Sequence, residues 1–481
     1  MKPLHKLNYC HSYAELGPAL SSFVNPTPIT APYLIHANSD LAMRLGVDLG
    51  EEEQLAQLLS GKRTLPQWKP LAMKYTGHQF GQYNPDLGDG RGLLLAEFVD
   101  DSTQKWDMHL KGSGQTPYSR MGDGRAVIRS SVREYLISAA MTGLGIETTQ
   151  ALALVGSQTP VRREELERAA TLLRIAPTHI RFGHFEYLFY SGQQHLIQPL
   201  MDHVINWHFP KLKGRKDRFK LFLSEVVKRT AKMIAGWQAY GFYHGVMNTD
   251  NMSILGQTFD YGPYAFIEQY QPNFVGNHTD YEGRYAFNRQ PGIAHWNLSA
   301  LGYALSSVLE KDDIEVVLAS YVDEVQAQYT GLMRERFGLI SSKEGDSDEL
   351  NHVLALMEKL KLDYNHSYRR LSELTYREWF TEPSFQNPEW QEWMKQYQHR
   401  LELDYPNERA RITAMCAVNP KYILRTHLAQ EVIDEVESGR FEIVDRWMKV
   451  LANPFVSHQV PSHWSKPARD GGVNICLSCS S

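Results

Sequence analysis

The stretch that most constrains this chain is His244-Gly245-Val246-Met247-Asn248-Thr249-Asp250-Asn251, followed nine residues later by Asp260-Tyr261-Gly262. Phosphoryl-transfer loops of the form His-x-Asp-(x)4-Asn, with an Asp-aromatic-Gly triplet downstream, bring a substrate-activating Asp and two metal-binding residues to one site. Here the His, the Asn and the triplet are present, but the activating position is Val246, which cannot accept a proton. The metal-nucleotide half of such a site is legible while its base has either gone or moved, and the carboxylate to which it would have moved is Asp250.

Upstream residues supply the rest of such a site in order. Gly92 to Val99 and Trp106 to Lys111 are short apolar runs bounded by turn residues, which predicts two strands joined as an antiparallel hairpin through Asp100-Asp101-Ser102-Thr103-Gln104. Over 129–145 the apolar spacing changes to three and four (Val132, Tyr135, Leu136, Ala139, Ala140, Leu144), with Gly145 as a stop. That predicts a helix with Glu134 off its main apolar stripe. A strand lysine paired with a helix glutamate fixes an ammonium against nucleotide phosphates. A surface Lys and an unrelated Glu look the same in sequence, so the weight comes from the order Lys111, Glu134, Asn251, Asp260. Gly88-Asp89-Gly90-Arg91-Gly92, Gly112-Ser113-Gly114 and Gly122-Asp123-Gly124-Arg125 lie within forty residues, and alternate glycines let backbone N–H groups approach phosphate oxygens. They read as a polyphosphate cradle more than as a set of hairpin turns. Asn251 and Asp260 offer hard oxygens to Mg2+ or Mn2+.

Elsewhere the pattern is mixed. Residues 180–190 are rich in aromatic and β-branched side chains and predict a strand; 219–240 carry Phe219, Phe222, Leu223, Val226, Val227, Met233, Ile234 and Trp237 on one face and predict a long helix that delivers the chain into the His244 loop. Helical spacing returns at 297–310, 313–337 and 349–361, with an Asp- and Ser-rich break at 341–348, and continues to Leu451. Strands, then a helix, then a helical second half is the order of an α+β, two-lobed protein-kinase-like fold. The expected division is an N-terminal extension over 1–70, an N-lobe over 71–145, a C-lobe over 146–340 and a helical C-terminal region with a cysteine-containing tail over 341–481.

Composition narrows the function classes. The 481 residues carry a formal net charge of -5, so no basic field attracts nucleic acid. No run of eighteen apolar residues occurs, and the first residues lead into polar ones, which predicts a cytoplasmic protein with no membrane partner. Four cysteines are too few for a disulfide scaffold; Cys476 and Cys479 form a Cys-x-x-Cys pair that is either an incidental exposed tail or a thiol-exchange site.

Four segments together resemble the selenoprotein O family: Tyr75-Thr76-Gly77-His78-Gln79-Phe80-Gly81, His109 through Arg120, Gly241 through Ser253, and the terminal Cys479-Ser480-Ser481. The resemblance runs over nearly the whole chain. It implies a pseudokinase that binds ATP in inverted orientation and transfers AMP to Ser, Thr or Tyr hydroxyls of proteins (AMPylation), some members using UTP with Mn2+. Carried over by motif, Gly88, Gly90, Arg91, Lys111, Asp123, Gly124, Arg174 and Arg181 would contact the nucleotide. Asp250 would accept the proton, Asn251 and Asp260 would hold the metal, Asp260 also lying against the nucleotide, and Glu134 would support Lys111. Two other readings share the loop: a small-molecule phosphotransferase, against which Val246 argues, and a non-catalytic ATP-binding pseudokinase scaffold.

Overall fold

A computed structural model describes residues 1–468; Cys476 and Cys479 lie outside the described residues. The fold is mixed, a large antiparallel sheet followed by a mostly helical remainder, and so belongs to the α+β class. The hairpin expected from sequence is the centre of that sheet: Gly92–Val99 pairs antiparallel with Lys105–Lys111. Along the sheet the order is Ser21–Phe23, Leu71–Met73, Gly92–Val99, Lys105–Lys111, Leu166–Ala176, Gln150–Arg162, Tyr33–Ala37, and two short strands, Asn8–Cys10 and Ala126–Val127, complete its nine. The sheet therefore draws on residues from both sides of the 71–145 segment.

Each face of the sheet is covered. One face packs against the small helices Ser39–Leu45 and Glu52–Leu59 through Leu41, Leu55 and Leu59. The other carries the helix Ile128–Gly143, whose Val132, Tyr135, Leu136 and Ile137 are fully buried and continuous with the core of the helical part. Burial of each such side chain is worth roughly 1.5–3 kcal/mol. Glu134 is buried with them, so the helix must give it a partner.

The run 180–190 is a helix, Phe182–Tyr190, not the strand its composition predicts. A short apolar run cannot be told apart by period, and the deciding contacts are local. His184 Nδ1 accepts the Arg181 N–H at 3.0 Å, closing the first turn, and Gly183 lies so close to the next segment that an added Cβ would stand 2.0 Å from the Thr76 carbonyl oxygen. The helix Arg218–Tyr240 forms where expected and ends at Gly241, which takes the left-handed φ of 71° and feeds the chain into the short strand Phe242–Tyr243. Trp237 near its end donates to Thr258 Oγ1 at 2.9 Å and stacks on His244 with ring centres 5.1 Å apart, tying the helix to both loops that follow. The helices Lys311–Arg336 and Asp346–Leu360 fall close to the expected 313–337 and 349–361, while the helix expected at 297–310 is Gln290–Ala304, beginning earlier in the Asn- and Gly-rich stretch. Among the described residues no helix is long and apolar enough to cross a membrane.

Candidate active site

Sheet and helical part meet over a cleft of about 960 Å³, and its lining includes Gly88, Gly90, Arg91, Lys111, Asp123, Gly124, Arg174, Arg181, Asp250, Asn251 and Asp260. Glu134 stands behind the wall. Its carboxylate takes the Lys111 ammonium in a close ion pair and lies 3.4 Å from Arg174 NH1. The sheet explains this convergence: Lys111 ends one strand, and Arg174 sits on the neighbouring strand directly across from His109. Burial pushes the Lys111 ammonium below its ordinary value despite Glu134, with Arg91 and Arg174 adding to the push. The same neighbouring positive charges that oppose a further cation here favour the arrival of an anion.

Asp260 is the meeting point of the arginines. Arg174 NH1 lies 2.6 Å from its Oδ1, and Arg181 pairs closely with its Oδ2. Burial alone would raise this carboxyl, but Arg181, Arg174 and Lys111 hold it well below the usual carboxylate range, so it stays ionised. It also sits in left-handed backbone, φ 57°, a conformation that is uncommon outside glycine and recurrent at functional loops. Arg181 in turn donates to the Asp250 carbonyl at 2.8 Å, and its guanidinium is sandwiched at 4.4 and 4.5 Å from the Tyr75 and Phe259 ring centres. Both its charge and its plane are used, which a lysine could not reproduce.

Asp250 occupies a different environment. It lies in the single turn Thr249–Asn251, almost fully buried; Oδ2 accepts a long 3.4 Å bond from Gln79, and Oδ1 has no partner. Burial, reinforced by the negative charge of Asp260 and opposed by Arg181, raises its carboxyl from 3.8 to about 7. Two carboxylates in one cleft are thus driven apart, one fixed as an anion and one poised to exchange a proton near neutrality. Gly77 fits against Asp250 with no room for a side chain, since a Cβ would come within 2.9 Å of Oδ1. Asn251 commits its amide nitrogen to the Val246 carbonyl at 3.1 Å, and its Oδ1 is left for a ligand. His244, buried, bonds the Phe259 carbonyl through Nε2 at 3.0 Å and so joins the loop to the segment bearing Asp260.

The glycine clusters form the near wall. Gly88 has φ 135° and packs against the Tyr118 ring; Gly124 has φ 69° and lies against the Gly114 carbonyl, where a Cβ would fall 2.1 Å away. Both need glycine for these turns, independently of any phosphate. Asp123 is turned to the rim, held by Arg163 at 2.8 and 3.1 Å, and Arg91 is exposed at the mouth.

Residues 3–451 match the family model described as protein adenylyltransferase SelO. The chain belongs to this family. It is 48% identical over 477 residues to the protein nucleotidyltransferase YdiU of Vibrio cholerae (98% of each chain). The YdiU proteins of Photobacterium profundum and Pseudomonas putida are 45% and 44% identical, each over 100% of both chains.

Sequence reasoning missed His109 and Asp89 as functional candidates. Both are buried, bonded to each other at 3.1 Å, and line the cleft. A signal was available: Lys105, Asp107, His109 and Lys111 alternate with the apolar Trp106, Met108 and Leu110 along one strand, and buried polar side chains at period two need partners. Glu186 and Thr249 were missed as well; Glu186 Oε2 accepts from Thr249 Oγ1 at 2.8 Å and lies 3.2 Å from His78 Nδ1, latching the hairpin Gly77–Gln79 to the Asp250 turn. No local signal marks that pair, because Glu186 lies in the run misread as a strand.

Proposed function

We propose that this chain transfers a nucleoside monophosphate, AMP from ATP and alternatively UMP from UTP, to Ser, Thr or Tyr hydroxyls of proteins. The observation that carries the reading is the separation of the two carboxylates: Asp260 clamped by two arginines, and Asp250 buried with an unpartnered oxygen and a carboxyl at about 7. The large sheet and the helical part correspond to the two lobes of a protein-kinase-like fold, with the cleft between them as the nucleotide site.

Asp250 accepts the proton of the incoming hydroxyl as its oxygen bonds to the α-phosphorus. The bond from that phosphorus to the bridging oxygen breaks, and pyrophosphate leaves. Lys111, Arg174 and Arg181, already converged at the deep end, take up the developing charge; guanidinium forks suit an oxyanion better than a point charge does. Val246, apolar and buried beside the cleft, fits a reaction whose base is elsewhere. Mg2+ or Mn2+ would be held by Asn251 Oδ1 and Asp260 and would neutralise phosphate charge. The donors present suit an ion with few protein ligands: Asn251 bonds the Val246 carbonyl through its amide nitrogen and not its Oδ1, and Asp260 stays ionised, each of its oxygens keeping a second lone pair beside the one its arginine takes. Cys10 and Cys416 are free thiols, which suits the cytoplasm as the compartment.

The test is label position. Incubation with ATP labelled at the α-phosphorus, divalent metal and an acceptor such as casein gives labelled protein, ATP labelled at the γ-phosphorus gives none, and Asp260→Ala removes the signal. Label only from the γ-phosphorus refutes the reading.

A further inference from the structure

His109 is fully buried between two charged groups of the cleft, Asp89 and Arg174. Its Nε2 lies 3.1 Å from Asp89 Oδ2, and its Nδ1 lies 3.1 Å from Arg174 NH2. A guanidinium has no lone pair to offer, so Nδ1 must accept; the carboxylate has no proton to offer, so Nε2 must carry the hydrogen. The ring is thereby fixed as one neutral tautomer with both nitrogens in use. It is further held by stacking on His179, ring centres 4.7 Å apart, and by Gly92, where a Cβ would stand 2.3 Å from its Cε1.

Each partner leads to a different wall of the cleft. Asp89 belongs to the Gly88–Gly92 loop and is itself pinned by the Met73 N–H at 3.1 Å and the Tyr75 hydroxyl at 3.2 Å. Arg174 reaches Glu134 and Asp260. Arg174 NH1 is shared between those carboxylates and its Nε has no partner, so the bond from NH2 to His109 is what sets the rotation of the guanidinium plane.

We infer that His109 is a positioning residue: as the Nε2–H tautomer it spans from the glycine loop to Arg174 and fixes the guanidinium relative to the loop that faces the same nucleotide. This rests on the proposed nucleotide site and deepens it. The consequence is specific to one ring nitrogen. An asparagine at this position sets its amide oxygen near where Nδ1 was and keeps an acceptor for Arg174. A glutamine reaches the Nε2 position, keeps a donor for Asp89 and abandons Arg174. The two variants are similar in the number of bonds removed and opposite in which wall they release.

The experiment compares His109→Asn, His109→Gln and wild type for ATP affinity by calorimetry, for kcat and KM of α-label transfer, and for thermal stability. The expected result is that both variants lose stability alike while His109→Gln binds ATP at least about tenfold more weakly than His109→Asn. Equal affinities in the two variants overturn the inference, as does the reverse order. Should either variant fail to fold, 15N spectra of the wild-type imidazoles decide instead: a buried Nδ1–H or doubly protonated ring in contact with Arg174 overturns it. Absence of α-label transfer by wild type counts against the proposed function and not against His109, because ATP affinity and the tautomer are read separately.

Discussion

Asp250→Asn should make the nucleotide-free, metal-free protein more stable and abolish transfer. The native carboxyl is buried, its Oδ1 has no partner, and its value is raised to about 7 from an ordinary 3.8. At 1.36 kcal/mol per pKa unit, that corresponds to about 4 kcal/mol of unfavourable charge burial once the group is ionised in both folded and unfolded chains. The sign follows from the raised value. The neutral form is preferred in the folded protein, so the group does no harm below about pH 4, its penalty grows as pH rises, and it is complete above about pH 7. Asparagine keeps the shape and the acceptor for Gln79 without the charge. With an unfolding entropy of about 2 cal/mol/K per residue, 4 kcal/mol corresponds to about 4 °C in Tm if the whole chain unfolds as a unit. Paired thermal scans at pH 8.5 and pH 5.5 should therefore show the variant ahead by about 4 °C and by about half of that. A gap that does not change with pH, or a variant less stable at pH 8.5, would mean that Asp250 is solvated or already balanced by a cation, and the argument for it as a base near neutrality would fail. The opposite movement of stability and activity is what a functional charge held at a folding cost produces.

Other outcomes follow from the same geometry. Transfer by wild type should rise with pH through about 7 as Asp250 loses its proton, and a rate flat from pH 5.5 to 8.5 counts against it. Arg181→Lys should lower kcat by at least about 100-fold, since it loses the contacts to Asp260 and the Asp250 carbonyl together with stacking between Tyr75 and Phe259, and label-transfer kinetics measure this. Glu134→Gln should weaken ATP binding by about tenfold, read by calorimetry, because Lys111 and Arg174 lose their shared anchor. Gly183→Ala should lower thermal stability by about 2 kcal/mol or more, because the new methyl meets the Thr76 carbonyl and the helix start has no room to retreat.

What the sequence determined was the chemistry along the chain. The hairpin ending at Lys111, the helix bearing Glu134, the long helix into His244, and the loop residues Asp250, Asn251 and Asp260 are all readable from local period, turn residues and motif spacing, because strands and amphipathic helices write their burial into neighbouring positions. The family resemblance was carried separately, by long unusual motifs such as Tyr75 through Gly81 and Gly241 through Ser253. The run 180–190 was not, since an apolar aromatic segment becomes a helix here through a cap and a close approach to Thr76 that lie outside any periodic pattern. Only the tertiary structure decided which groups meet. It set Arg174 across the sheet from His109, aimed two arginines at Asp260, and buried Asp250 against Gly77 with one oxygen unpartnered. The physical reason is that burial and pairing are properties of surroundings: two aspartates identical in sequence terms acquire opposite proton affinities once one is given two guanidinium groups and the other is given none within reach of its free oxygen.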